Sequence, residues 1–491
     1  MALAPHVRNK HMEVVGATGQ KIRHVDGIGG GTIKRAGRFR ILVTSVALSA
    51  LCCAPPASAQ GARQEELPRN GHGALPGPSN DLLAELESIY KDIHANPELA
   101  MQEHRTAGIA AKWLRQHGYE VSEKVGGTGV VGLLRNGEGA TVLLRADMDA
   151  LPMKENTGLP YASKKVITDK SGQEVPVAHS CGHDMHVTWL IGATRLLAEN
   201  RDKWRGTVMA VFQPGEETGE GALAMVKDGL TKRFPKPTVA LAQHVLPLAA
   251  GQTAIRSGLL LSQSNSLRVT LFGRGGHGSS PQKTIDPVLM AAATVMRLQT
   301  VVSREIGMTD NAVVSVGSVQ AGSSANIIPD QAVLQLNIRT FNDQVRDTVL
   351  SSIKRIINAE AAASGAPKPP EITMLPGEFP LTINDEDATR KVAEALRQRF
   401  GAERVRPTGP TSASEDFSVI TRAWKVPSVY WIIGGVDPKK YAEAEKAGRL
   451  NELPSNHSPE FAPVISPTLR VGIDATLAAA GAWLTPTGAK P

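Results

Sequence analysis

The segment VAHSCGHDMHVTWLIGATRLL (177–197) places one cysteine and three histidines, His179, Cys181, His183 and His186, within eight residues at the head of an apolar stretch. Thiolate and imidazole are good ligands for zinc-like ions. A spacing of two puts Cys181 and His183 on one side of an extended segment. A buried thiol beside a helix-capping histidine would give the same local pattern, so the case for chemistry rests on the rest of the chain. Glu216-Glu217 ends the apolar run GTVMAVFQPGEE (206–217), His244 lies in VALAQHV (239–245), and His457 stands in SNHSPEF (455–461). Each of these could be structural when taken singly. Together, Cys181, His183, Glu217, His244 and His457 supply what two ions with a water between them need, which is more than one closed set of four ligands, with positions left open. An acid beside such a water takes its proton, so one glutamate of the Glu216-Glu217 pair ligates and the other is the general base. Adjacent residues of an extended chain point in opposite directions, which suits this division without saying which glutamate does which.

The elements that must bring these residues together are visible as apolar patterns. ATVLLRADMDA (140–150), GTVMAVFQPGEE and VALAQHV are continuous apolar runs with polar groups at their C-terminal ends, the pattern of buried parallel strands. SNDLLAELESIYKDIHANPEL (79–99), RTAGIAAKWLRQHGY (105–119) and VTWLIGATRLLAEN (187–200) carry apolar residues at helical spacing. Strands alternating with helices predict an α/β fold with its site at the carboxyl edge of a mainly parallel sheet. From about 262 to 375 the order changes to βαββαβ, that of a two-layer α+β unit, before EDATRKVAEALRQRF (386–400) and SVYWIIGG (428–435) resume the earlier style. The economical division is a catalytic domain in two parts, 80–261 and 378–487, interrupted by an inserted domain at 262–377.

The charge balance of the 491 residues argues against a nucleic-acid partner. The net charge is +7, but residues 1–59 hold eight Lys/Arg against two Asp/Glu, so the remainder carries only 7 − 6 = +1. A near-neutral body offers no basic patch for DNA, RNA or a membrane surface. The basic front end reads instead as a leader: KRAGRFR (34–40), the apolar ILVTSVALSALCC (41–53) and the small-residue APPASAQ (54–60) follow the order of a secretory signal, with cleavage expected near Ala59. The apolar run is too short to span a bilayer, so no stable membrane anchor is expected and the protein is expected to be secreted or periplasmic. Cys52 and Cys53 fall inside the leader. Cys181 is then alone in the mature chain and has no disulfide partner within it.

RADMDALP (145–152), AHSCGHDMH (178–186), QPGEE (213–217), QHVLP (243–247), GRGGHGSSP (273–281), SANIIPD (324–330) and NHSPEF (456–461) resemble, in order and spacing, the aminoacylase/carboxypeptidase family of dinuclear metallohydrolases. Its amidohydrolase branch, with hippurate hydrolases and plant indole-acetyl-amino-acid hydrolases, is the most similar part. The resemblance spans roughly 80–485. It implies a zinc-peptidase-like catalytic domain and an inserted lid that mediates dimerisation. It implies two divalent ions per subunit, zinc or alternatively manganese or cobalt, held by Cys181, His183, Glu217, His244 and His457, with Cys181 as the bridge and Glu216 as the base. His277 is implied to reach the partner subunit's site and stabilise the oxyanion. Asn326 and Arg339 are implied to hold the substrate carboxylate or amide oxygen, and Asp147 and Asp149 to orient the ligands from behind. Ala413, where many relatives have Gly before SEDF, the run YWIIGG (430–435) and the insert 436–455 depart from the usual pattern around the substrate pocket.

The expected reaction is hydrolysis of the amide bond of an N-acyl or N-aroyl amino acid. A dipeptidase or carboxypeptidase of the same family is the alternative. Two further readings come from other classes: a thiol hydrolase with Cys181 as nucleophile, and a periplasmic binding protein that retains the pocket without turnover. Sensitivity to chelators separates metal from thiol chemistry, and any turnover removes the binding protein.

Overall fold

The computed structural model describes residues 75–168, 172–377 and 379–486. The expected leader and its cleavage point at Ala59 lie outside the described residues. A mixed sheet, nine-stranded among the described residues, forms the frame of the molecule. Its central strands, in spatial order Trp204–Gln213, Thr141–Asp147, Val239–Ala249 and Ser428–Val436, are mutually parallel. Antiparallel Gly129–Asn136 and Glu120–Val125 extend one side, and Thr253–Ile255 and Val405–Pro407 the other.

The central strands are apolar without alternation because both of their faces are covered. Val142, Leu144 and Ala146 enter one core, whereas Leu143 enters another on the opposite face. The first face carries helices Asn80–Ala95, His104–Gln116, His183–Glu199, Glu386–Phe400 and Ile465–Gly481. The second carries Gly221–Lys227 and Phe417–Trp424. Helix His183–Glu199 is buried almost throughout, which explains its weakly amphipathic sequence. It is locked against Ile465–Gly481 where the Trp189 ring lies over Gly472, a place where any Cβ would come within 2.1 Å of the indole. Trp189 Nε1 donates to Thr468 O at 3.1 Å. Truncating so large a buried ring costs about 3–5 kcal/mol, and here it would also loosen the helix whose first residue is His183.

The βαββαβ segment builds a separate four-stranded antiparallel sheet, in the order Ala312–Ala321, Gln331–Thr340, Gln263–Phe272, Glu371–Met374. Helices Pro287–Thr300 and Asp343–Ala363 cover one of its faces and share with it a core of their own. Asp286 and Asn342 cap these helices by accepting from backbone N–H groups of the first turn. No helix among the described residues is long and apolar enough to cross a membrane.

Candidate active site

The polar residues gather at the carboxyl edge of the parallel strands, but by turns rather than by extended chain. Cys181 and His183 do not share an extended segment as their spacing suggested. Gly182 sits between them at φ +89°, and His183 is the first residue of the helix. A Cβ at Gly182 would lie 2.5 Å from Val245 Cγ1, so the left-handed turn that aims both ligands needs glycine twice over. Glu216 and Glu217 likewise occupy a turn after Trp204–Gln213 and do not point apart: Glu216 Oε2 and Glu217 Oε1 lie 3.9 and 3.8 Å from the same atom, His183 Nε2. His244 falls inside its strand, which continues to Ala249 instead of ending at 245. His457 reaches the group from a loop, in a left-handed conformation (φ +68°) uncommon for a non-glycine residue. Its amide donates to Ser180 O at 2.8 Å, tying that loop to the cysteine segment.

Two triplets could each hold an ion, Cys181–His183–His244 and Cys181–Glu217–His457, and they have Cys181 in common. His183, Glu216 and Glu217 form a third. A backbone carbonyl and a carboxylate orient the two histidine rings. His244 Nδ1 lies 2.7 Å from Val245 O, which can only accept, so the proton is on Nδ1 and the bare Nε2 faces Cys181 Sγ at 3.5 Å. His183 Nδ1 meets Asp149 Oδ1 at 3.2 Å, while its buried Nε2 has no hydrogen-bond partner. Asp149 Oδ2 also accepts from the Glu217 amide at 2.9 Å, so one carboxylate orients both groups. His186, the remaining histidine of the helix start, is spent on structure: Val245 N–H donates to its Nε2 at 3.0 Å, and its Nδ1 meets Asp147 Oδ1 at 2.6 Å.

These residues suit divalent ions. The donor set combines sulfur, imidazole nitrogen and carboxylate oxygen, and two inward buried atoms, His183 Nε2 and Glu217 Oε1, have no hydrogen-bond partner. His457 is pushed up to about 10 by Cys181 and Glu217. Burial would raise Glu217, but its hydrogen bond to His457 at 3.2 Å and the charge of His183 hold it below the usual carboxylate range. Glu216 goes the other way, raised well above that range by burial and then by Glu415, Glu217 and Asp416.

A buried network that the motifs did not reveal stands behind Glu216. Arg145, within a central strand, donates to Asp147 Oδ2 at 2.6 Å, Glu415 Oε1 at 2.7 Å, Asp416 Oδ1 at 3.2 Å and Gln213 Oε1 at 2.9 Å. Tyr430 adds its hydroxyl to Glu415 Oε2 at 2.6 Å. One cation thus balances several buried acids, and Glu216 groups with Glu415 and Asp416. Asn456 Nδ2, beside His457, donates to Cys181 O at 2.9 Å and Val245 O at 3.1 Å.

None of the residues read from the inserted segment belongs to a metal-capable group among the described residues. His277 is exposed, pairs with Ile327 in a two-residue ribbon, and its Nδ1 accepts from the Ser279 amide at 3.1 Å. Asn326 adjoins it, its backbone carbonyl accepting from Gly278 at 2.8 Å. Arg339 is half-buried and donates to Ser412 O at 2.6 Å.

A three-layer α/β frame with a cysteine shared between two metal-capable triplets, and a buried acid beside them, defines the class as a metal-dependent hydrolase. The chain belongs to peptidase family M20/M25/M40, whose model matches residues 143–454. It is 38% identical over 341 residues to a hippurate hydrolase of Campylobacter jejuni, covering 69% of this chain and 85% of that protein. A thermostable carboxypeptidase of Saccharolobus solfataricus is 34% identical over 356 residues, covering 72% and 86%. Among solved structures, a dinuclear metal-binding peptidase of the M20 family from Bacillus subtilis superposes with a TM-score of 0.63 at 28% identity, over 82% of this chain and 99% of that one.

Proposed function

We propose that this protein hydrolyses the amide bond of N-acyl or N-aroyl amino acids, releasing a carboxylic acid and the free amino acid. The observation that carries the reading is the pair of triplets sharing Cys181, with Glu216 beside them and outside both. Cys181, His183, Glu217, His244 and His457 would hold two divalent ions, with zinc the best match to a thiolate–imidazole–carboxylate set. When bound, the ions supply the charge that acidifies a water and polarises the scissile carbonyl. Glu216 takes the proton of the attacking water at its carboxylate and returns it to the leaving amine. The acids behind it and Arg145 hold that carboxylate in a dry wall, and Asp149, at His183 Nδ1, aims His183 Nε2 inward. Arg339 offers the planar fork that suits the amino-acid carboxylate, and Asn326 an amide for the substrate's oxygen.

The reading includes a homodimer in which His277 stabilises the oxyanion of the partner's site. Its support is the exposed position of His277 and the outer edge of Ala312–Ala321, unpaired among the described residues, where Val313 and Val319 are exposed, alongside Leu289 and Met296 on the neighbouring helix. Export with cleavage near Ala59 is supported by the leader-like order of 34–60. Carboxypeptidase action on unblocked peptides is the second reading, favoured by the Saccharolobus relative. Release of acid and amino acid from acetyl-, benzoyl-, indole-acetyl- and bulkier aroyl amino acids, beside free dipeptides, decides between them. Turnover confined to dipeptides would replace the first reading with the second, and turnover that survives chelation would remove the metal mechanism.

A further inference from the structure

The strand Gln331–Thr340 lies inside the four-stranded sheet, and its side chains alternate between the helix-covered core and the open face. Leu334, Leu336 and Ile338 enter the core, so Asn337 and Arg339 share the opposite face. On the neighbouring strand Ser266 stands opposite Asn337 and Ser264 opposite Arg339, which brings two hydroxyls onto that face. Asn337 Nδ2 donates to Ser264 Oγ at 2.9 Å and to Ser266 Oγ at 3.2 Å. These two bonds set the amide's orientation and leave Oδ1 to accept from Arg339 Nε at 3.1 Å. Arg339 Nη1 donates to Ser412 O at 2.6 Å and Ser414 Oγ at 3.1 Å, from the loop that runs into Glu415 and Asp416.

Nε and both Nη1 hydrogens are therefore committed to neutral acceptors, and Nη2 has no hydrogen-bond partner among the described residues. No carboxylate among them pairs with the guanidinium either, and burial draws its pKa below the ordinary value. A half-buried cation without a counter-charge, clamped on two of its three nitrogens, presents one fixed edge to an incoming anion.

We infer that Asn337 is a positioning residue for substrate selection: with Ser414 it fixes the plane of Arg339 so that the Nη2 edge meets the amino-acid carboxylate of the substrate. The inference rests on the amidohydrolase reading above, in which Arg339 binds that carboxylate. Asn337 acts through Arg339 and need not touch the substrate. Its removal lowers the preference for a carboxylate over a neutral group, whereas a merely structural defect lowers activity on both alike.

The test compares kcat/KM for N-benzoylglycine with that for N-benzoylglycinamide, which lacks the charge. In Asn337→Leu the ratio of the two should fall about tenfold, the value of one hydrogen bond to a charged group. In Asn337→Asp it should fall at least as far, because the new carboxylate pairs with the guanidinium itself. Asn337→Ser, too short to reach Nε, gives the same readout where the leucine variant does not fold. A ratio unchanged in Asn337→Leu or Asn337→Ser while Arg339→Ala abolishes the preference would overturn this inference and leave the function intact. A ratio unchanged in Arg339→Ala, or a wild-type enzyme that does not prefer the carboxylate, would overturn the placement of the substrate carboxylate and this inference with it.

Discussion

Glu216→Gln should lower turnover by orders of magnitude and at the same time make the metal-free protein more stable. The Glu216 carboxyl is buried among Glu415, Glu217 and Asp416, and burial first, then those charges, raise its pKa well above the ordinary 4.5. An acid whose folded pKa is raised binds its proton more tightly in the folded state. Its contribution is therefore most favourable below about 4.5, and stability is lost as pH rises from there toward the folded pKa. At pH 7 the loss cannot exceed the gap between 7 and 4.5, which at about 1.4 kcal/mol per pH unit is about 3.5 kcal/mol. Glutamine keeps the shape without a charge to desolvate, so the metal-free variant should gain about 1–3 kcal/mol at pH 7. The gain should vanish near pH 4, where the wild-type group is protonated in both states. With ions restored, loss of the base should lower kcat by a factor of about 100 to 10,000. Urea unfolding of the stripped proteins at pH 4 and 7, kcat after reconstitution, and elemental analysis give the three numbers. A metal-free variant less stable than wild type at pH 7 would refute the strained-acid argument, and ions lost along with activity would mean that the roles of Glu216 and Glu217 are reversed.

Cys181→Asp should retain both ions and measurable turnover, since a carboxylate can also bridge, and mass spectrometry during turnover should find no acyl adduct on Cys181; an adduct would establish thiol catalysis. His94, buried between Asp184 at 2.6 Å and Glu155 at 3.1 Å, is raised to about 10 because these acids outweigh the cost of burial. Its stabilisation is complete below about 6.5 and lost as pH climbs through 10, so unfolding of metal-free wild type should show a steeper loss between pH 7 and 10 than His94→Leu does; parallel curves would contradict it. His277→Ala and Glu216→Gln, each nearly inactive alone, should recover about a quarter of wild-type activity after subunit exchange, because half the dimers are mixed and each of those has one intact site. No recovery after exchange confirmed by mass spectrometry would mean that His277 does not act across the interface.

The residue types at the site were legible because sulfur, imidazole and paired carboxylates next to apolar runs have few ordinary uses in combination. The local geometry was less so. Period-two alternation puts Cys181 and His183, and Glu216 and Glu217, on extended chain, whereas glycines and turns aim them, and a single left-handed residue such as Gly182 cancels that alternation. His186 stood in plain view as a ligand type, but only the fold reveals that a backbone N–H and Asp147 consume both its nitrogens. Arg145 was harder still: its partners Glu415 and Asp416 lie 270 and 271 positions away, and an arginine in an apolar strand gives no hint of which acids it will meet. Long amphipathic helices such as Glu386–Phe400 were readable from their periodicity, whereas the mostly buried helix Ile465–Gly481 was not read and the short edge strand Val405–Pro407 has too few residues to carry a pattern.

The position of Ser428–Val436 bears on how the chain can reach this state. The strand is made late, yet it lies within the sheet, bonded on one side to Val239–Ala249 and on the other to Thr253–Ile255. A ribosome that has released everything up to residue 400 has therefore produced a sheet that lacks this interior strand, and Val239–Ala249 is left with an open apolar edge. The pairing that closes it joins residues nearly two hundred positions apart, an ordering step whose entropy cost falls before its reward. Folding from the amino terminus onward cannot complete this domain. Nascent and C-terminally shortened chains should depend on holding chaperones, and the slow event in refolding should be the arrival of this one strand, which sets Tyr430 against Glu415 and closes the acid wall behind Glu216.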